Sequence, residues 1–184
     1  MIIDYGMGNI WSVRSAFEYI GSSTSIISDP ETISNYDYLI LPGVGSFKNA
    51  MENIHERGYY KAIINAVTKK KAKILGICLG MQLLGTQSTE DSLTEGLSLI
   101  PVSVERFNEN ITHSSYKIPH VGFNTVTLNE NKGLFTNLPA KVDFYFVHSY
   151  RMPVVDIDCR IGICNYGEPF LSAFEYGNIC GTQF

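Results

Sequence analysis

The stretch KILGICLGMQLL, residues 73–84, decides the fold. Its first half is a short apolar run that reads as a strand ending at Cys78. Its second half opens a helix expected from residue 79 to about residue 87. Gly76 and Gly80 bracket the cysteine in a G-x-C-x-G pattern, the thiol counterpart of the strand–turn–helix elbow that carries a serine nucleophile. Residues without a Cβ let the chain turn tightly and let neighbouring backbone come close. Such an elbow lifts its nucleophile to the carboxyl end of a strand, where open α/β sheets build their sites. The start of the following helix is expected to lower the thiol pKa. The Leu79 amide is expected to donate to an oxyanion. A small buried hydrophobe is the competing reading of Cys78, and the two glycines weigh against it.

Outward from the elbow, MIIDY, TSIIS and YDYLIL read as further strands, and residues 10–20 as a helix closed by Gly21. Residues 47–56 and 59–70 read as two helices around a break at Gly58. Strands alternating with helices predict an α/β domain with a mostly parallel central sheet and helices on both faces. After residue 96 the rhythm changes. VSVERF, NTVTL, DFYFVHSY, RIGIC, FLSAFEY and NICGTQF are strand-like and joined by turns such as NENKG and NYGE. They predict an antiparallel, β-rich extension of the same sheet. One domain is expected over residues 1–184, incomplete at its C-terminal end because the last predicted strand stops at Phe184 without a cap.

Composition excludes several classes. Apolar residues make up 45% and charged residues 17%, an ordinary globular balance that excludes wholesale disorder. A net charge of −4 gives no electrostatic case for nucleic acid. The basic run Lys69, Lys70, Lys71 and Lys73 falls where a helix should end, as the helix dipole favours. No apolar run nears the roughly 20 residues that cross a bilayer. Asp4 and Gly6 interrupt the apolar start, which argues against a secretory signal. Cys78, Cys159, Cys164 and Cys180 form no CxxC pair and no metal-ligand spacing, so neither metal nor organic cofactor is expected. A reducing, cytoplasmic setting with free thiols follows, with the last three cysteines read as core packing.

A second glycine turn, PGVGSF at residues 42–47, ends another predicted strand. Gly43 and Gly45 let main-chain amides swing toward a substrate, and the Val44 amide is the candidate second oxyanion donor. The thiol also needs a proton acceptor. His55 and His113 sit in a charged helix end and a polar loop and read as surface residues. His120 enters a strand after Pro119. His148, at a strand end, is the best internal candidate, although a lone histidine on an apolar strand more often frames a site than acts as its base.

IDYGMGN, LPGVGSF, GICLGMQLL, KIPHVGFN, YFVHSY and GTQF occur in that order from residue 2 to residue 184. Together they resemble the glutaminase subunits of imidazole glycerol phosphate synthase, within the class I (triad) glutamine amidotransferases. The resemblance implies a three-layer fold and hydrolysis of glutamine to glutamate and ammonia through a thioester at Cys78, with Val44 and Leu79 as oxyanion amides. It implies substrate contacts from Gly43, Gly45, Gln82, His148, Ser149 and Tyr150, and a partner interface with Asn9, His120 and Phe123. The implied partner is a (β/α)8-barrel cyclase subunit of a heterodimer in histidine biosynthesis.

Two features depart from that pattern. Phe123 stands where the family usually has tryptophan. The family also continues after QF with His-Pro-Glu, its general base and orienting carboxylate, positions that lie past Phe184. Other readings stay open: a related glutaminase feeding a sugar-amidating enzyme of surface polysaccharide synthesis, an inactive partner-binding subunit if Phe184 is the true terminus, or a stand-alone cysteine hydrolase with His148 as base.

Overall fold

The computed structural model describes residues 1–109 and 116–184, so His113 lies outside the described residues. The first half alternates as its pattern predicts. Short strands β1 (Ile2–Ile3), β2 (Ile26–Ile27), β3 (Tyr38–Gly43) and β4 (Lys73–Cys78) are separated by α1 (Ile10–Tyr19), α2 (Phe47–Glu56) and α3 (Tyr59–Ile64). The starts of α1 and α2 have local causes. The Asn9 side chain accepts from the Ser12 amide ahead of α1, and Ser46 accepts from the Asn49 amide ahead of α2. Phe47, Ala50, Met51 and Ile54 give α2 one buried stripe.

A five-residue helix α4 (Leu79–Leu83) follows the elbow, and the chain then becomes β-rich. Its strands are β5 (Gln87–Ser88), β6 (Thr94–Glu95), β7 (Glu105–Arg106), β8 (His120–Leu128), β9 (Lys141–His148), β10 (Tyr150–Pro153), β11 (Arg160–Tyr166), β12 (Glu168–Tyr176) and β13 (Ile179–Thr182). The large sheet runs β2-β1-β3-β4-β13-β12-β11-β8-β9, with β10 joining β12 and β7. Pairing is parallel from β2 to β13 and antiparallel from β13 to β9. The last strand thus returns to the centre, beside the elbow strand.

A bulge at Ser172, where the register with β11 shifts between Gly162 and Ile163, interrupts the alternation of β12 and divides its side chains between two cores. Leu171 and Phe174 join the larger cluster with Leu41, Phe47, Met81 and Ile74. Phe170 and Ala173 join a smaller one with Phe107, Phe146 and Cys164. Among the described residues, no helix is long and apolar enough to cross a membrane.

Two helices differ from their sequence pattern. The expected helix over residues 59–70 is α-helical only to Ile64 and widens into a π turn over Asn65–Lys69. There the Thr68 hydroxyl donates to the Ile64 carbonyl, and Lys70 N–H reaches back to Asn65. The helix after Cys78 stops at Leu83 rather than near residue 87. The amides of Leu97, Leu99 and Ser98 take the carbonyls of Leu83, Leu84 and Gly85, so a neighbouring loop finishes what further helix would have supplied.

Candidate active site

The elbow is built by backbone pressed on backbone. Cys78 has φ 56° and ψ −115°, a conformation that costs a side-chain-bearing residue about 1–3 kcal/mol. Its surroundings hold it there. A Cβ on Gly76 would lie 2.6 Å from the Gly80 carbonyl oxygen, and one on Gly80 would overlap the Leu41 carbonyl oxygen. A Cβ on Gly43 would lie 2.8 Å from the Gly80 nitrogen and 2.8 Å from Tyr5 Oη. The two glycine turns, one ending β3 and one ending β4, are therefore locked against each other. Tyr5 donates its hydroxyl to the Pro42 carbonyl at 2.9 Å, beneath the same turn.

The Cys78 thiol receives the Leu79 amide and, at 3.7 Å, the side-chain amide of Gln183. Burial pushes its pKa above the ordinary cysteine value, and those two hydrogen bonds pull the other way without prevailing. This corrects the expectation that the helix start would set a low pKa. With only five residues, α4 offers little dipole, and the sulfur is too enclosed for charge to come cheaply.

Beside the sulfur lies a cavity of about 350 Å³. It gathers Val44, Gly45, Cys78, Leu79, Gln82, His148, Ser149 and Tyr150, brought from three separate stretches of the chain. Gly43 stands behind the wall as a packing residue. His148 is buried, with Nδ1 2.8 Å from the Tyr150 carbonyl and Nε2 3.1 Å from His120 Nδ1. A carbonyl can only accept, so His148 carries its proton on Nδ1 and its Nε2 accepts from His120. Burial lowers the His148 pKa to about 4, as it does for His120. Neither nitrogen of His148 is left to take a proton from Cys78, which removes the basis for a stand-alone hydrolase.

The profile of the family described as Glutamine amidotransferase class-I matches residues 1–184. The chain belongs to that family. It is 45% identical over 184 residues to imidazole glycerol phosphate synthase subunit HisH 1 of Parasynechococcus marenigrum (strain WH8102), covering 100% of this chain and 87% of that protein. It is 45% identical over 182 residues to subunit HisH of Sulfurimonas denitrificans (strain ATCC 33889 / DSM 1251), covering 99% and 87% respectively. Among solved structures, the fold matches a crystal structure of a glutamine amidotransferase with TM-score 0.76 at 13% identity, over 100% of this chain and 88% of that one. The glutaminase domain of Trypanosoma brucei CTPS with bound acivicin matches with TM-score 0.65 at 13% identity, over 100% and 83%.

This amidotransferase cavity also has walls that sequence reading missed. Glu90 lines it, its carboxylate accepting the Phe47 amide at 2.7 Å while burial raises its pKa. It sits in the polar stretch QSTED, which reads as an ordinary turn. Gln183 reaches Cys78 because β13 pairs with β4 in parallel, Thr182 opposite Ile77. No local signal announces that pairing across 105 positions. The residues expected at a partner surface separate. Asn9 is exposed and caps α1. His120, by contrast, is 1% exposed, stacked between Phe146 and Tyr166, so its ring meets no outside surface. Phe123 is 78% exposed, with Tyr145 across the strand pair at a ring distance of 5.2 Å.

Proposed function

We propose that this chain is the glutamine-hydrolysing subunit of an imidazole glycerol phosphate synthase, releasing ammonia to a cyclase subunit that closes an imidazole ring. The observation that carries the reading is Cys78, held in its strained elbow at the wall of a cavity that also presents the Glu90 carboxylate. Glutamine has matching groups, a carboxamide for the thiol and an ammonium for the carboxylate.

The Cys78 sulfur, having lost its proton, adds to the carboxamide carbon. The carbonyl electron pair moves to oxygen, where the Leu79 and Val44 amides serve as donors. Collapse of this intermediate expels ammonia once the departing nitrogen has gained the proton taken from sulfur. Water then adds to the thioester, releases glutamate and returns a proton to Cys78. The family pattern assigns the proton shuttle to the histidine after GTQF, oriented by the glutamate that follows.

Support for a protein partner comes from the outer face of β8 and β9. Val121, Phe123, Tyr145 and Val147 are 53%, 78%, 51% and 60% exposed and stand opposite one another across the pair. Val147 also lines the cavity, so this apolar strip runs to the site's mouth. The 45%-identical relatives are named as synthase subunits. The test is labelling with a glutamine-shaped diazoketone, read by peptide mass spectrometry. Modification of Cys78 alone, blocked by glutamine and with that protection weakened by Glu90→Gln, is the expected result. Labelling that glutamine does not block would overturn the reading.

A further inference from the structure

The cavity wall contains a chain of buried hydrogen bonds whose direction can be worked out atom by atom. We propose that Gln82 and Gln183 form a directional relay that keeps an N–H donor against the Cys78 sulfur, with the Tyr150 main-chain carbonyl setting the direction. Gln82 Nε2 lies 3.0 Å from that carbonyl, which can only accept. The same nitrogen lies 2.9 Å from Gln183 Oε1. Both protons of the Gln82 amide are then committed, and the Gln183 oxygen is turned away from the sulfur. Its nitrogen is left facing Cys78 at 3.7 Å.

Reversing Gln183 would set two donors face to face and aim an oxygen at sulfur. Gln82 and Gln183 are 5% and 1% exposed, so little water is at hand to repair such a mismatch. The carbonyl that sets the direction is itself held, since His148 Nδ1 donates to it at 2.8 Å. Gln183 is fixed through its main chain by the Ser172 carbonyl at 2.8 Å.

The groups that face the sulfur from the packed elements are Tyr5 from the turn after β1, the Leu79 amide from α4, neutral His148 from β9 and Glu90 across the cavity. None is a cation among the described residues. Among the described residues, the hydrogen bonds offered to a thiolate come from neutral donors, Leu79 and Gln183. Gln82 never touches the sulfur, yet acts on it as a positioning residue through Gln183.

The inference rests on Cys78 as the nucleophile, but its test needs no turnover. The rate of Cys78 alkylation by iodoacetamide is followed against pH in the full chain, with peptide mass spectrometry separating Cys78 from Cys159 and Cys180. Gln183→Met keeps side-chain length and removes the donor, and should raise the midpoint by about one pH unit. Gln183→Glu, of the same shape with acceptors only, should raise it further and serves if the methionine variant does not fold. Gln82→Met frees Gln183 to turn and should raise the midpoint by less. In the double variant Gln82→Met/Gln183→Met, the Gln82 effect should vanish, because it acts only through Gln183.

A midpoint unmoved by Gln183→Met overturns the relay while leaving the nucleophile in place. So does a Gln82 effect that persists in full in the double variant. A wild-type Cys78 inert across the alkaline range overturns the nucleophile reading and the relay with it.

Discussion

Single residues carry the chemistry here because their neighbours leave no alternative. Gly80 lies so close to β3 that an added methyl group would meet the Leu41 carbonyl, which is backbone and cannot swing away. Gly80→Ala should therefore destabilise the protein by roughly 3 kcal/mol or prevent folding. Gly21, at φ +82° with nothing near its Cβ position, should cost only about 1 kcal/mol as alanine. Urea unfolding of the two variants separates close approach from backbone conformation, and equal losses would contradict this account. The Gly76–Cys78–Gly80 spacing was legible in sequence because the turn needs those residue types at alternate positions of one short stretch. Glu90 was not, because nothing beside it in the chain marks it out, and Gln183, although inside GTQF, comes beside the sulfur only through the pairing of β13 with β4.

Elements follow their local pattern until a neighbour intervenes. Stripe and cap fixed α2, whereas α4 was cut short by amides from residues 97–99 that no pattern within the helix could foretell. That shortening bears on the thiol: a five-residue helix could not offset burial, and the expected low pKa did not materialise. The β8–β9 pair shows both influences at once. Its alternation buries Val126, Phe146 and His148 and leaves Phe123 and Tyr145 outside. As the exposed ring contributes little to the fold, Phe123→Ser should change stability by less than about 0.5 kcal/mol. It should weaken association with a cyclase subunit at least about tenfold, as loss of an aromatic anchor does. Titration calorimetry with the purified partner decides, and undiminished affinity would move the interface elsewhere.

At the scale of the whole molecule, two strands far apart in sequence meet at the centre and a histidine pair is buried between sheet and loop. Both imidazoles have pKa values lowered from 6.5 to about 4 by burial. The folded state keeps them neutral while the unfolded chain takes up protons below pH 6.5, so their contribution is present above that pH and lost as pH falls through about 4. One such shift corresponds to about 3 kcal/mol. Unfolding free energy should drop steadily from pH 7 toward pH 4, and a flat profile would show the pair to be charged in the fold. The sequence by itself determined the strand–helix alternation of the first half, the two glycine turns and the place of Cys78 in its elbow, because each depends on residues within one short stretch. Tertiary structure alone decided the thiol's elevated pKa, the Gln82–Gln183 chain and the engagement of both His148 nitrogens. Those depend on burial and on β13 lying against β4, contacts between residues that only the folded chain brings together.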